Sequence, residues 1–340
     1  MGRASQRARA SAGRRPAPGR KKDPALVQHL KALVEPETAG NPMSARKWRR
    51  SSLRHLSEQL GEQVSHTTVG RMLGEMDYSL KVNVKRLTGE PHPDRDEQFA
   101  YLEQQKQTFL QAGWPVISVD TKKKELIGNF KNSGRRWCQT ADAVNEHDFE
   151  QDALGKAVPY GIYDLTHQRG YVYVGQSADT PQFAVERIAD WWRTFGCQDF
   201  PTADKLLILC DAGGSNGYRP RLWKQQVQEL LADQLGLAVT VCHYPTGASK
   251  WNPIEHRLFG PISLNWAGHP LCTFETMLSL IRGTVTETGL KVEAFLVNKV
   301  YATGLKVADA VMNSLNLERH AVCSNWNYTI RPRAIGPVLT

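Results

Sequence analysis

The sequence predicts an α/β fold, a mixed sheet flanked by helices, preceded by a smaller all-helical module. Three observations carry that expectation. From about residue 112 onward, short apolar runs rich in β-branched residues alternate with amphipathic stretches of helical period, in the order β-β-β-α-β-α-β-α. Before that point, apart from Leu80, Val82 and Val84, the apolar residues recur at helical spacing. The charge is also divided: residues 1–100 carry 19 Lys and Arg against 11 Asp and Glu, whereas the rest carries 24 against 23. The formal charge of +9 therefore belongs almost entirely to the first third, where a polyanion, nucleic acid before a membrane surface, is the natural partner.

Residues 1–22 hold eight basic residues and no acidic one among Ala, Gly, Ser and Pro, which predicts a disordered basic arm. Residues 23–111 are expected to form a DNA-binding module. "DPALVQHLKALVEP" places Asp23 as N-cap, Pro24 at the first helical position and Leu26, Leu30 and Leu33 on one face. "SSLRHLSEQLG" and "SHTTVGRMLGEMDYSL" then read as two short helices around Gly61, the outline of a helix-turn-helix. In that motif the second helix enters the major groove, so Ser65, His66, Thr67, Thr68 and Arg71 are the expected DNA contacts. Leu80, Val82 and Val84 suggest a strand or wing continuing the module, and residues 94–111 a linker helix ending at "AGWP".

In residues 112–340, "WPVISVD" is a buried strand type closing on Asp120, and "VPYGIYDLTHQRGYVYVGQ" is a hairpin. "PQFAVERIADWWRTFG" is an amphipathic helix, "KLLILCD" a buried strand closing on Asp211, and "YRPRLWKQQVQELLADQLG" a second helix. "LAVTVCHYP" is the fifth strand and leads into the helix of "NPIEHRLFG". Residues 121–157, charged and weakly periodic, read as an insertion between the first two strands. A helix, a strand-like "GLKVEAFLV" and a tail with Arg331 and Arg333, both candidate DNA contacts, complete the chain.

In open α/β sheets ligands gather beyond the carboxyl ends of the strands, where Asp120 and Asp211 stand. With the first and fourth strands as parallel neighbours, the two carboxylates come within reach of one metal ion. Glu255, in the first turn of the helix after the fifth strand, hangs over the same edge. Alone it reads as an ordinary helix-dipole residue. Three carboxylates without a His or Cys cluster suit Mg2+ or Mn2+ and not zinc. Two such ions about 3.5–4 Å apart serve phosphodiester chemistry. Lys122, Lys123 and Lys124 follow Asp120 and offer a phosphate contact, although an exposed charge run is the more common explanation of such a cluster. Asn252 and Pro253 are expected to cap and start the helix of Glu255, with Asn216 and His256 as supporting residues and Trp251 as a core anchor in preference to a stacking surface for a flipped or frayed base.

"VISVDTKKKELIGNFKNSGRRW", "LLILCDAGGSNGYRPRLWK" and "HYPTGASKWNPIEHRLF" resemble the three catalytic blocks of DDE transposases from bacterial insertion sequences, the Rhodopirellula-type family. "NPIEH" is similar to a word found in mariner-like transposases. The resemblance also takes in "VSHTTVGRMLGEMDYSL" and "HPDRDEQF", so it spans nearly the whole chain. It implies an RNase H-like catalytic domain with Asp120, Asp211 and Glu255 as the triad binding two Mg2+ or Mn2+ ions. The implied substrates are double-stranded DNA, the terminal inverted repeats and the target, handled by a homodimer or larger assembly. The implied reaction is hydrolysis at the element ends followed by attack of the freed 3′-hydroxyl. An RNase H-like nuclease or integrase on other DNA, and a domesticated DNA-binding regulator, are the alternatives.

Other classes find no support. "DAGGSNG" lacks the GK[ST] ending of a phosphate loop, which argues against a nucleotide cofactor. "IEH" is no zincin word. The six cysteines form no CxxC pair and read as reduced thiols. With no apolar run of membrane length and no secretory signal, the expected location is the bacterial cytoplasm, at the nucleoid.

Overall fold

The computed structural model describes residues 24–34, 39–40, 47–48, 52–61, 64–78, 93–248 and 251–334. The basic arm, Asp23 and the expected wing at 79–92 lie outside them. The chain forms two compact units that divide between Arg86 and Leu87.

In the first unit, α1 (Pro24–Val34), α2 (Leu53–Gln59) and α3 (His66–Glu75) accompany a two-residue ribbon of β1 (Ala39–Gly40) and β2 (Lys47–Trp48). Both short helices begin on serine caps: Ser52 Oγ accepts the His55 N–H and Ser65 Oγ the Thr68 N–H. Leu30, Leu56, Leu60, Val69 and Met72 close the small core with Leu26 and Leu33 packed against it, whereas Leu53, expected on the same face, is exposed.

The second unit begins with α4 (Arg95–Gln111). The sequence placed this helix in the N-terminal module as a linker. Instead Leu102 and Phe109 pack on Val116, Leu207 and Leu209 of the sheet, and Gln98, fully buried, exchanges two amide hydrogen bonds with Asn327 while donating a third to the His243 carbonyl. Its weak amphipathicity hid this docking, because the decisive contact is polar.

The sheet contains β3 (Val116–Thr121), β4 (Glu125–Ile127), β5 (Gly155–Asp164), β6 (Arg169–Gly175), β7 (Lys205–Asp211), β8 (Ala238–Tyr244), β9 (Lys291–Val297), β10 (Leu317–Arg319) and β11 (Asn327–Ile330). The strands run in the order β10-β11-β8-β7-β3-β5-β6-β9, with β4 paired to β5. The five expected strands are the contiguous centre, β6-β5-β3-β7-β8. There β3, β7 and β8 are parallel, β5 runs antiparallel to β3, and β6 turns back antiparallel to β5. The expectation of five strands was too small. β9 adds parallel to β6, and the presumed tail supplies β11, whose Asn327–Ile330 stretch is too short to stand out before it pairs with β8. The insertion holds β4, and β5 begins at Gly155, inside its expected bounds.

One face carries α5 (Pro181–Trp191), continued through a π-turn (Trp192–Gly196) into α6 (Cys197–Asp199), and α7 (Arg221–Gln226), continued through Val227–Asp233. Phe183, Ile188, Trp191, Trp223, Val227 and Leu231 bury that face. The other face carries α4, a π-turn Glu255–Phe259 running into α8 (Gly260–Asn265), and α9 (Phe274–Arg282). A short α10 (Asp309–Asn313) precedes β10. Among the described residues no helix is long and apolar enough to cross a membrane.

Candidate active site

Strand alternation decides which way the two aspartates point. Val116 of β3 and Leu207 and Leu209 of β7 pack on the α4 side, so Asp120 and Asp211, an even number of residues further on, share that face. The parallel register Val119↔Cys210 makes them next-door neighbours at the carboxyl ends of adjacent strands. Both are half-buried. Burial, and then the nearby Asp211 charge, push the Asp120 carboxyl up to about 8. Burial and the Glu255 charge push Asp211 up to about 6, against the lowering hydrogen bond from Asn252.

Glu255 reaches this edge because its helix is anchored to β3 from outside. Asn252 is fully buried, but its side chain does not cap the helix as the sequence suggested. Its Nδ2 donates to Asp211 Oδ1 at 3.1 Å and toward the Val119 carbonyl at 3.5 Å, and its Oδ1 accepts the Ser118 hydroxyl. Ser118 Oγ in turn accepts the Ile254 N–H at 3.1 Å, capping the helix from the strand. Pro253 has no N–H to satisfy, and the Glu255 N–H finds the Asn252 carbonyl at 3.1 Å. The first turn is thus paired while Asn252 and Ser118 together tie it to β3 and to Asp211.

Two glycines let this helix settle on the sheet. A Cβ on Gly161, which pairs with Asp120 across the ladder, would lie 2.5 Å from Phe259 and 2.9 Å from Ile254, and one on Gly170 would lie 2.3 Å from Leu258. The helix widens to a π-turn over Glu255–Phe259, with the Gly260 N–H reaching the Glu255 carbonyl five residues back. Pro261 supplies a reason: lacking an N–H, it cannot continue the four-residue ladder.

The other expected site residues are placed unevenly. Lys122 is no free phosphate contact: its side chain is only 10% exposed, 3.8 Å from Glu125, with its ammonium 4.5 Å from the centre of the Trp266 ring. Burial lowers its pKa. Lys123 is open to solvent beside Glu125, and Lys124 lies 4.0 Å from Asp179. Asn216 is buried: its carbonyl lies 3.0 Å from His243 Nε2, its Oδ1 accepts the Ser215 hydroxyl at 3.4 Å, and its Nδ2 has no hydrogen-bond partner among the described residues. His256 is exposed, and so is Trp251, which meets Phe99 edge-on at 6.0 Å instead of anchoring the core. In the first unit Ser65, His66, Thr67 and Arg71 are exposed and Thr68 is half-buried. Ser65 is occupied as a cap, and Arg71 lies 4.0 Å from Glu75. Arg331 and Arg333 pair with Glu318 and Asp233.

Several residues of this edge were not singled out in the sequence. Ser118 reads as one more residue of a buried strand. Asp179, after the hairpin, accepts the Thr121 hydroxyl at 3.1 Å. His243 lies with its two ring nitrogens 2.8 Å and 3.0 Å from the Trp326 and Asn216 carbonyls, and burial lowers it to about 4. A neutral imidazole donates to only one of them.

The donors at this edge are carboxylates alone, suited to a hard divalent ion. Asp120, Asp211 and Glu255 do not bring their ligand atoms within 4.8 Å of one another; among the described residues the one set of three such groups that does is a different one, Asp164, His167 and Asp199. It lies at the β5–β6 turn, the opposite end of the sheet. Asp164 is committed there to the Thr166 and His167 N–H groups and to His167 Nδ1, and Asp199 to Arg169, which makes the group a turn clasp.

The raised aspartates carry a signed expectation. Both bind a proton more tightly folded than unfolded, so their contribution to stability is complete below about pH 4 and is lost as pH rises. The Asp211 share fades through about pH 6 and the Asp120 share through about pH 8. In chelator, Asp120→Asn should flatten the fall in melting temperature between pH 6 and 8. An unchanged slope would contradict the placement of Asp120.

The sequence model of the Rhodopirellula transposase DDE domain matches residues 29–332. The chain belongs to this transposase family. No curated protein matches it. Solved structures similar to it include the Mos1 transposase paired-end complex with left transposon end, at 15% identity over 78% of this chain and 71% of that one, with a TM-score of 0.40. The mariner Mos1 paired-end complex with Mg is similar at 16% identity over 77% and 72%, with a TM-score of 0.41.

Proposed function

We propose that the chain is a metal-dependent DNA transposase that binds the terminal inverted repeats of its element, hydrolyses phosphodiester bonds at the ends and joins the 3′-hydroxyl to target DNA. The observation that carries this is the pairing of Asp120 and Asp211 on adjacent parallel strands, with Glu255 brought to them by a helix clamped onto β3. The central strand order β6-β5-β3-β7-β8 supports an RNase H-like catalytic domain. Asp120, Asp211 and Glu255 would hold two Mg2+ or Mn2+ ions, which when bound activate the attacking oxygen and stabilise the leaving one. The protein's own part is to keep these carboxylates aimed. Ser118 and Asn252 fix the helix and Asp211, and the Thr121 N–H holds Asp120 Oδ1 at 2.7 Å. The exposed start of α3, with Thr67 and Arg71, and the basic N-terminal segment are the proposed recognition surface for the repeats, with two or more copies holding paired ends in the cytoplasm.

The test is a labelled duplex spanning the boundary of the inverted repeat that flanks the coding region. Mg2+-dependent nicking at that boundary is expected, and a chain lacking residues 1–86 should lose preference for the repeat. No nicking with either Mg2+ or Mn2+ would overturn the reading, and retained selectivity after truncation would remove the recognition role of the first unit.

A further inference from the structure

We propose that Asp179 is a positioning residue for this edge, fixing the Asp120 carboxylate through Thr121. The inference rests on Asp120 being a metal ligand. The β6–α5 connection emerges at the same end of the sheet as Asp120, because β5 pairs Thr121 with Tyr160 and Tyr160 with Tyr173. Asp179 Oδ1 accepts the Thr121 hydroxyl at 3.1 Å, and the Thr121 N–H donates to Asp120 Oδ1 at 2.7 Å. One residue therefore links the two carboxylates through its side chain and its backbone. The Asp120 and Thr121 side chains lie on opposite faces of β3, so the relay crosses the sheet and ties the metal face to the α5 face.

The Asp179 loop is itself held. Thr180 Oγ1 caps α5 by accepting the Phe183 N–H at 3.1 Å, and Ser177 accepts the Tyr301 N–H at 3.2 Å while donating to the Lys299 carbonyl at 3.3 Å. Lys124 Nζ, 4.0 Å from Asp179 Oδ2, occupies the second oxygen. A negative group so placed needs a purpose, because it adds to the charge that already disfavours ionised Asp120. Restricting Asp120 to one rotamer, with Oδ1 occupied and Oδ2 open, supplies that purpose: a hydrogen bond to a metal-ligating carboxylate orients it and strengthens binding. Asp179 also lines an open groove with Pro220, Arg221 and residues 302–307, so trimming it leaves no closed void.

The test is Mn2+ binding to the full-length protein, followed by electron paramagnetic resonance without DNA. Asp179→Ala and Thr121→Val should each weaken the site that Asp120→Asn removes by about 10-fold, and the double variant should be no weaker than the single ones. Thr121→Ser and Asp179→Asn, which preserve the donor and an acceptor, should recover most of the affinity, a rescue that general loosening of the loop would not show. Tyr160→Phe deletes a buried hydroxyl that has no hydrogen-bond partner and should bind as wild type. Wild-type affinity in Asp179→Ala, or losses that multiply in the double variant, overturns the relay. Unaltered binding in Asp120→Asn overturns the metal reading itself.

Discussion

Exchanging Asp120 or Asp211 for Asn, or Glu255 for Gln, is expected to lower nicking of element-end DNA by about 10^3-fold or more in each case. Each exchange keeps shape and removes one charge, so little packing changes. For the two aspartates the stability effect has the opposite sign. Their proton affinity is raised by burial and by neighbouring acids, so ionisation strains the metal-free protein, that of Asp211 from about pH 6 and that of Asp120 from about pH 8. A neutral amide removes that repulsion. Asp120→Asn should therefore melt no lower than wild type in chelator at pH 8, and should gain less from added Mg2+. Activity lost without stability is the mark of a group kept for chemistry. The checks are single-turnover nicking and thermal melting in Mg2+ and in chelator. Full activity in any one variant removes that residue from the triad, and parallel loss of stability and activity assigns it a structural role instead.

Much of this site was legible because it sits where local patterns end. "VISVD" and "KLLILCD" announce buried strands by composition, and an aspartate closing each is visible without knowing the partner strand. The helix carrying Glu255 is marked by Pro253 and by an apolar face of Ile254, Leu258 and Phe259, all buried. What was illegible depends on polar complementarity between distant residues, which leaves no period in the sequence. Ser118 looks like another residue of a buried strand, yet it caps a helix that begins 135 positions later at Pro253. Gln98 and Asn327 are unremarkable apart, and only their mutual amide pairing places α4 on the sheet. Gly161 and Gly170 carry no turn signal because their role is a close approach by side chains far along the chain. The α2–α3 pair was legible through the helical spacing of its apolar residues, whereas the Ser52 and Ser65 caps, although local devices, were not read as caps.

Asn252 is where the hidden polar network and the triad meet, and Asn252→Asp should be the most damaging isosteric change in the second unit. Asn252 uses both amide hydrogens, on Asp211 Oδ1 and the Val119 carbonyl, and its oxygen accepts the Ser118 hydroxyl. Replacing the NH2 by oxygen turns a 3.1 Å donor contact with Asp211 into a meeting of two acceptors in a fully buried position. The new carboxyl relieves this only by holding a proton, so its folded-state pKa rises above the unfolded value. The variant is then tolerated near pH 4 and is destabilised progressively as pH rises. Asn252→Ala removes the repulsion but leaves Asp211, Ser118 and the Val119 carbonyl short of partners, a loss of about 3 kcal/mol that should vary much less with pH. Denaturant unfolding at pH 5 and pH 8 separates the two. The Asp variant should approach the Ala variant at pH 5 and fall well below it at pH 8, with nicking reduced by about 10^2-fold or more in both because the Glu255 helix loses its tie to β3. Wild-type stability of Asn252→Asp at pH 8 would mean that Asn252 does not hold Asp211 as described, and the anchor for Glu255 would then rest on the Ser118 cap and apolar packing alone.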